Sequence, residues 1–167
     1  MAPPTTSFAS PQHAVPTVWG MVWLLHTALE LPLSVVGLFL TSSVRFEEMN
    51  NTVRVMIKLY SALSLSLSLA CLLLYTLPDY LPGKRAVAIL LLFYHGIASS
   101  VFLNADPITG VSLGAQFKLA QHQLTPELLA GVAHGLLALM VTAWWQSTLG
   151  QVKAAAGGGV PAGRKGR

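Results

Sequence analysis

The chain has 167 residues, of which 10% are charged and 53% are hydrophobic, and its formal net charge is +4. Soluble domains carry about 25% charged residues, so this chain has too few polar side chains to cover a water-exposed surface. Its mean hydropathy of +0.60 also excludes an intrinsically disordered chain. The apolar content is enough for about four helices of about 20 residues each. The composition therefore predicts an all-α membrane protein, a bundle of four transmembrane helices with disordered termini.

Four apolar segments make up the predicted transmembrane domain, which covers residues 17–149. Its spans are residues 17–40, 53–77, 86–103 and 128–149. Trp19 and Trp23 stand near the start of the first span, as in the aromatic belt of a membrane interface. Trp144 and Trp145 stand near the end of the last span, and we assign them to the second interface.

The remaining segments read as connections and tails. Residues 78–85 contain helix-breaking Pro and Gly residues, and this connection is short enough to make the second and third helices antiparallel neighbours. Residues 104–127 form the longest connection, in which the apolar residues around Lys118 predict a short interfacial helix. Residues 1–16 and 150–167 are expected to be a disordered lead and a disordered basic tail.

Lys and Arg are unevenly distributed between the two sides of the membrane. The side with the termini and the 78–85 connection has Lys84, Arg85, Lys153, Arg164, Lys165 and Arg167, and the other side has Arg45, Arg54, Lys58 and Lys118. The positive-inside rule therefore predicts that both termini are cytoplasmic. The basic ending at residues 164–167 resembles an endoplasmic-reticulum retrieval signal, with a simple solvated tail as the alternative. The Asn50-Asn51-Thr52 triplet is a glycosylation sequon on the predicted lumenal side.

Glu30 is the charged residue that lies deep within a predicted span. Charged groups there cost about 2.5–3.5 kcal/mol on insertion scales, so Glu30 suggests a function. Polar residues of all four spans fall within four positions, or about 6 Å, of the same depth. They are His26 and Glu30, Tyr60 and Ser61, Tyr94 and His95, and His134. We therefore expect these side chains to lie in one polar layer if the helix rotations allow it.

Three interpretations of this layer are open. In the first, which the pattern favours, the layer serves packing, and the protein is a scaffold or accessory subunit of a membrane complex. In the second, Glu30, His95 and His134 perform isomerase-type acid–base chemistry on a hydrophobic, lipid-like molecule. Its ligand-binding residues are then His26, Tyr60, Ser61 and Tyr94. In the third, the histidines ligate a metal or haem; their spacing matches no zinc helix or haem motif, so we expect no cofactor and no metal.

Small residues predict close contacts between helices. Gly131 and Gly135 form a GxxxG pair in the fourth span, and Gly96 and Ser100 form a similar pair in the third. These faces either pack within the bundle or contact a membrane-protein partner. The lipid bilayer is the other expected partner, and no nucleic-acid contact is expected because the basic residues lie in loops and tails. The single cysteine, Cys71, allows no disulfide within the chain.

Overall fold

The computed structural model describes residues 18–44, 49–106, 108 and 124–157. Within these residues the fold consists of helices, which are α1 (Val22–Phe39), α2 (Asn51–Tyr75), α3 (Pro82–Leu103), α4 (Pro126–Ser147) and α5 (Leu149–Gly157). Short 3₁₀ turns precede and follow α1. The first four helices are long and apolar enough to cross a membrane, with α5 extending the fourth. The predicted all-α bundle of four transmembrane helices is thus confirmed.

The bundle is built from two antiparallel hairpins. Helix α1 packs along α2, and α3 packs along α4, whereas the two hairpins meet mainly where α1 approaches α4. Helices α2 and α3 follow each other directly in the chain but make few backbone contacts. They are therefore not the close packing neighbours that the short connection predicted. A short loop limits the distance between two helix ends, but small and polar side chains decide which faces pack together.

Small residues bring α3 and α4 together. A Cβ added to Gly131 would lie 2.8 Å from the Leu103 side chain, and one added to Gly135 would lie 2.9 Å from the Ser99 hydroxyl. The Ser99 hydroxyl also donates a hydrogen bond of 2.8 Å to the Gly131 carbonyl. The GxxxG pair therefore packs inside the second hairpin.

Gly96 and Ser100 face outwards from α3. Both residues are exposed, and a Cβ on Gly96 would meet no atom within 4 Å in the described part of the chain. Their neighbours Phe93 and Ile97 are also exposed. This small-residue pair therefore lies on the apolar outer surface of the bundle, where lipid or another membrane protein can contact it.

A cluster of aromatic and basic residues closes one end of the bundle. Trp23 of α1 and Trp144 of α4 are fully buried and meet edge to face, with ring centroids 5.2 Å apart. They lie at the same end because an even number of spans returns the chain to its starting side, so assigning Trp144 to the second interface was wrong. We call this region the tryptophan end; its residues are Trp23, Trp144, Trp145, Lys84 and Arg85.

Both cations of the tryptophan end have several partners. The Lys84 ammonium lies 2.7 Å from the Asp79 carboxylate and 5.4 Å from the Trp23 ring centroid, and donates to the Leu77 carbonyl at 2.8 Å. The Arg85 guanidinium lies 3.6 Å from the Trp145 ring centroid. Such cation–π contacts offset part of the cost of burying a cation.

Two helix boundaries differ from the prediction. Helix α3 begins at Pro82 rather than residue 86, because proline is favourable in the first turn of a helix. Helix α5 covers the first part of the 150–167 tail that we expected to be disordered, where a run of alanines favours helix. The lead at residues 1–16, the rest of the tail and the region around Lys118 lie outside the described residues.

Candidate functional site

Polar side chains from all four spans meet between the two hairpins. Helical spacing explains why: His26 and Glu30 are four residues apart on α1, and so are Tyr60 and Ser64 on α2, so each pair shares one face. We call this set the polar seam. Its members are His26, Glu30, Tyr60, Ser64, Tyr94, His95 and His134.

Glu30 is the centre of the polar seam and is 0% exposed. Its Oε1 accepts a hydrogen bond of 2.8 Å from the Tyr94 hydroxyl, and its Oε2 accepts one of 2.7 Å from the Ser64 hydroxyl. The Tyr60 hydroxyl lies 3.4 Å from Oε2, and His134 Nε2 lies 3.6 Å from Oε1. The carboxylate of α1 is therefore contacted from each of the other three spans.

The three histidines form a row that ends at Glu30. His26 Nδ1 lies 3.0 Å from His95 Nε2, and His95 Nδ1 lies 2.8 Å from His134 Nδ1. Phe102 stacks on the His134 ring with centroids 5.6 Å apart, which restrains that ring. At the far end of the row, His26 Nε2 is buried and has no hydrogen-bond partner within residues 18–44, 49–106, 108 and 124–157.

Six of the seven residues predicted from the sequence come together in the polar seam, and Ser61 does not. The Ser61 side chain lies against Gly37 in the α1–α2 interface, where a Cβ added to Gly37 would overlap the Ser61 hydroxyl. Ser64 contacts Glu30 instead. The sequence contained a signal for Ser64, since it lies one helical turn after Tyr60 on the same face. The catalytic and ligand-binding roles assigned to these residues remain predictions.

An apolar cavity of about 300 Å³ opens between α2 and α3, and we call it the lateral cavity. It is lined by Tyr60, Tyr94, Ile97, Ala98, Val101 and Phe102. Tyr60 and Tyr94 are hydrogen-bonded to each other through their hydroxyls, and both hydroxyls point to Glu30. The Tyr60 side chain is also 45% exposed on the outer surface. The two tyrosines thus stand between the buried carboxylate and a space that lipid can enter.

A second apolar cavity, of about 450 Å³, lies on the other side of Tyr60. It is formed by α1 and α2, with Leu33, Gly37, Met56 and Ser61 among its lining residues. Ser61 therefore borders an apolar space beside the polar seam. Tyr60 borders both cavities.

The donor atoms of the polar seam can be compared with those of a metal site. His26, Glu30 and His95 each offer a ligand atom, and these atoms lie within 4.8 Å of one another. Two imidazole nitrogens on one tetrahedral zinc ion, at 2.0–2.1 Å from it, are about 3.3 Å apart. The N–N distances of 3.0 and 2.8 Å in the histidine row are those of hydrogen bonds. The His26–His95 contact is thus a hydrogen bond in this structure, about 0.3 Å shorter than the spacing of two zinc ligands.

Comparison with protein-family models, with curated protein sequences and with solved structures finds no match. The polar seam and the lateral cavity are therefore the features from which a function is inferred.

Proposed function

We propose that this membrane protein binds a hydrophobic small molecule with one polar group in the lateral cavity and performs acid–base chemistry on it. Glu30 is the proton acceptor and donor of this reaction. The observation that carries the proposal is the position of its carboxylate, which is fully buried and bonded to the Tyr94 hydroxyl at the wall of an apolar cavity. Ligand sites commonly combine such an apolar lining with a few convergent polar groups.

The lining of the lateral cavity supports a lipid-like ligand. Ile97, Ala98 and Val101 present only aliphatic surface, so the body of the ligand must be apolar. The phenols of Tyr60 and Tyr94 can both donate and accept hydrogen bonds, so they suit a hydroxyl or carbonyl group on the ligand. The opening faces the bilayer, from which a hydrophobic molecule can enter without crossing water.

The chemistry that suits these groups is an isomerisation. The Tyr94 hydroxyl takes a proton from a carbon of the ligand as it passes its own hydrogen to the Glu30 carboxylate. The reverse transfers return a proton at another carbon while a double bond shifts, so no atom is gained or lost. The Tyr60 hydroxyl donates a hydrogen bond to the polar group on which charge develops. General acid–base catalysis of this kind requires a group within hydrogen-bond reach of the proton that it moves.

A scaffold function is the second proposal, and the outward face of Gly96 and Ser100 favours it. Among the residues that the structure describes, none packs against Gly96, and small residues of this kind allow close contact with a helix of another protein. However, a purely structural layer does not require ionisable groups, since apolar replacements of buried ion networks are often neutral or stabilising. The buried Glu30 is therefore explained better by ligand chemistry than by packing alone.

Photolabelling tests the ligand proposal directly. The purified protein in lipid nanodiscs is irradiated with a long-chain alcohol that carries a diazirine, and the adducts are located by mass spectrometry. We expect adducts on α2 and α3 around the lateral cavity. Ala98→Trp fills this cavity and should abolish these adducts. Leu139→Trp is the matched control, because Leu139 is 67% exposed on the lipid-facing side of α4.

A second comparison tests recognition by the phenols. Tyr60→Phe keeps the shape of the cavity but removes a hydroxyl, so we expect labelling by the alcohol to fall about fivefold, as for the loss of one hydrogen bond of about 1 kcal/mol. The diazirine hydrocarbon without the hydroxyl should label wild type and Tyr60→Phe equally. If adducts spread over the whole outer surface and Ala98→Trp changes nothing, the ligand proposal is wrong.

We further propose that both termini are in the cytoplasm. The larger number of basic residues on that side of the membrane supports this orientation. An N-terminal tag should become accessible to antibody when only the plasma membrane is permeabilised. A tag that becomes accessible only after internal membranes are also permeabilised would contradict the orientation.

A further inference from the structure

We infer that His26, His95, His134 and Glu30 form a proton relay that takes up one proton at His26 and neutralises Glu30. This inference concerns the histidine row rather than the lateral cavity, and it requires no bound ligand. It rests on the two N–N contacts of the row, on the approach of His134 to Glu30, and on the buried His26 Nε2.

The number of ring hydrogens determines which nitrogen donates and which accepts in each hydrogen bond of the row. Each neutral imidazole has one N–H donor and one acceptor nitrogen. When Glu30 is ionised, His134 carries its hydrogen on Nε2, facing the carboxylate, so its Nδ1 must accept from His95 Nδ1–H. The Nε2 of His95 must then accept from His26 Nδ1–H. This arrangement leaves His26 Nε2 with a free lone pair, and it is the nitrogen that has no partner in the described structure.

The transfer can be written with every proton conserved. A proton from a hydronium ion binds His26 Nε2 and leaves a water molecule behind. The hydrogen on His26 Nδ1 moves to His95 Nε2, the one on His95 Nδ1 moves to His134 Nδ1, and the one on His134 Nε2 moves to Glu30 Oε1. All three rings end neutral in the opposite tautomer, and the carboxylate has become a carboxylic acid. The reverse transfer, from Glu30 to His134, His95 and His26 and from His26 Nε2 to a water molecule, restores the starting tautomers and resets the row.

The row runs from one membrane face towards the middle of the bundle. His26 lies four residues, or about 6 Å, from Glu30 along α1, and on the side of the tryptophan end. The charged groups there are Lys84 with Asp79, and Arg85 beside Trp145. His26, the entry end of the row, therefore lies nearer to the tryptophan end than Glu30 does.

Two tyrosines also contact the Glu30 end of the row. Tyr94 of α3 donates a hydrogen bond to Glu30, and the Tyr60 hydroxyl of α2 lies 3.4 Å from its Oε2. The His134–Glu30 distance of 3.6 Å exceeds hydrogen-bond length. This contact must shorten by about 0.5 Å for the last transfer, which makes it the step that controls the relay.

Nitrogen NMR of the protein in lipid bilayers tests the relay without any variant in the row. His13 and His122 are replaced by Asn so that the ¹⁵N-labelled histidines are the three of the row. At neutral pH we expect hydrogen on Nδ1 of His26, on Nδ1 of His95 and on Nε2 of His134, with N–H···N couplings between successive rings. Any other set of tautomers would overturn the proposal. When Glu30 is ionised, only this set gives every hydrogen bond of the row one donor and one acceptor.

Acidification tests the transfer. We expect the carboxyl carbon of Glu30 to change from the ionised to the neutral resonance while the three rings exchange tautomers together. His95→Phe interrupts the row, so acidification should then produce no tautomer change at His26. His26→Phe removes the entry point but keeps the other two rings. The proposal fails if wild type instead accumulates a stable imidazolium beside an ionised Glu30. It also fails if added Zn²⁺ shifts the three ring resonances, because a metal would use the same lone pairs.

Discussion

The tryptophan end and the polar seam both bury ionisable groups in an apolar bundle, but they do so in different ways. At the tryptophan end, Lys84 has a carboxylate, a backbone carbonyl and a ring face as partners. In the polar seam, Glu30 has hydroxyl groups and imidazole nitrogens around it and no Lys or Arg within ion-pair distance among the described residues. One cluster compensates its charges permanently, and the other surrounds its charge with groups that can exchange protons.

This difference separates two reasons for burying a charge. A compensated pair at the end of a bundle fixes packing, and its removal should reduce stability. A carboxylate bonded to neutral groups can gain or lose a proton while its neighbours keep their positions. We therefore expect substitutions at the tryptophan end to affect mainly stability, and substitutions in the polar seam to affect mainly proton and ligand chemistry. The four predictions below test this contrast.

Trp23→Ala should have the largest effect on stability. Trp23 is fully buried against Trp144, and truncation of a buried aromatic side chain costs about 3–5 kcal/mol of unfolding free energy. Its indole N–H has no partner among the residues described, so the loss reports packing rather than a hydrogen bond. Unfolding by detergent titration measures this change in the free energy of unfolding. Trp19→Ala is the control, with an expected change below about 0.5 kcal/mol because Trp19 is 45% exposed.

Lys84→Met should have the next largest effect. It keeps an unbranched side chain between the tryptophan rings but removes the ammonium that lies 2.7 Å from Asp79. We expect the free energy of unfolding to fall by about 2 kcal/mol. Removing one partner of a fully buried ion pair typically costs about 3–5 kcal/mol, and the cost is smaller here because the Asp79 side chain is partly accessible. Lys153→Met, at an exposed position of α5, should be neutral. Equal stability of Lys84→Met and wild type in the same titration would contradict the compensated-charge interpretation.

Tyr94→Phe should reduce stability by about 1.5 kcal/mol. It removes the hydroxyl that donates to Glu30 at 2.8 Å, and hydrogen bonds to charged groups contribute about 1.5–3 kcal/mol. Tyr80→Phe, at an exposed position in the α2–α3 connection, is the matched control and should be neutral. A loss at Tyr94 much larger than this would indicate that the polar seam is mainly a structural element.

Glu30→Gln should have the smallest effect on stability, below about 1 kcal/mol. The amide keeps the shape of the side chain and one acceptor oxygen, and it no longer carries a buried charge. The same variant should abolish proton uptake by the row and any isomerase activity. If Glu30→Gln instead depletes the folded protein as strongly as Trp23→Ala does, the result supports the scaffold proposal, and the acid–base proposal loses its main support.

The four spans could be predicted because hydropathy is a property of each segment by itself. The similar depth of Glu30, His95 and His134 in the membrane could also be predicted, because each residue advances a helix by about 1.5 Å. The position of Ser61 outside the polar seam could not be predicted, because it depends on helix rotation, which Gly37 sets by admitting Ser61 closely into the α1–α2 interface. The burial of Lys84 also escaped prediction, because its cost is offset by rings from α1 and α4, which are distant in the sequence.

The two-hairpin arrangement has a consequence for how the protein is made. During synthesis α1 and α2 enter the bilayer before α3 and α4 exist, so Glu30 must first be accommodated by its own hairpin. Ser64 of α2 can bond to it at that stage, whereas Tyr94 and His134 arrive only with the second hairpin. The first half of the chain is thus a partly satisfied intermediate with an acidic group facing lipid. Docking of the second hairpin then supplies the remaining contacts of the carboxylate and removes it from lipid.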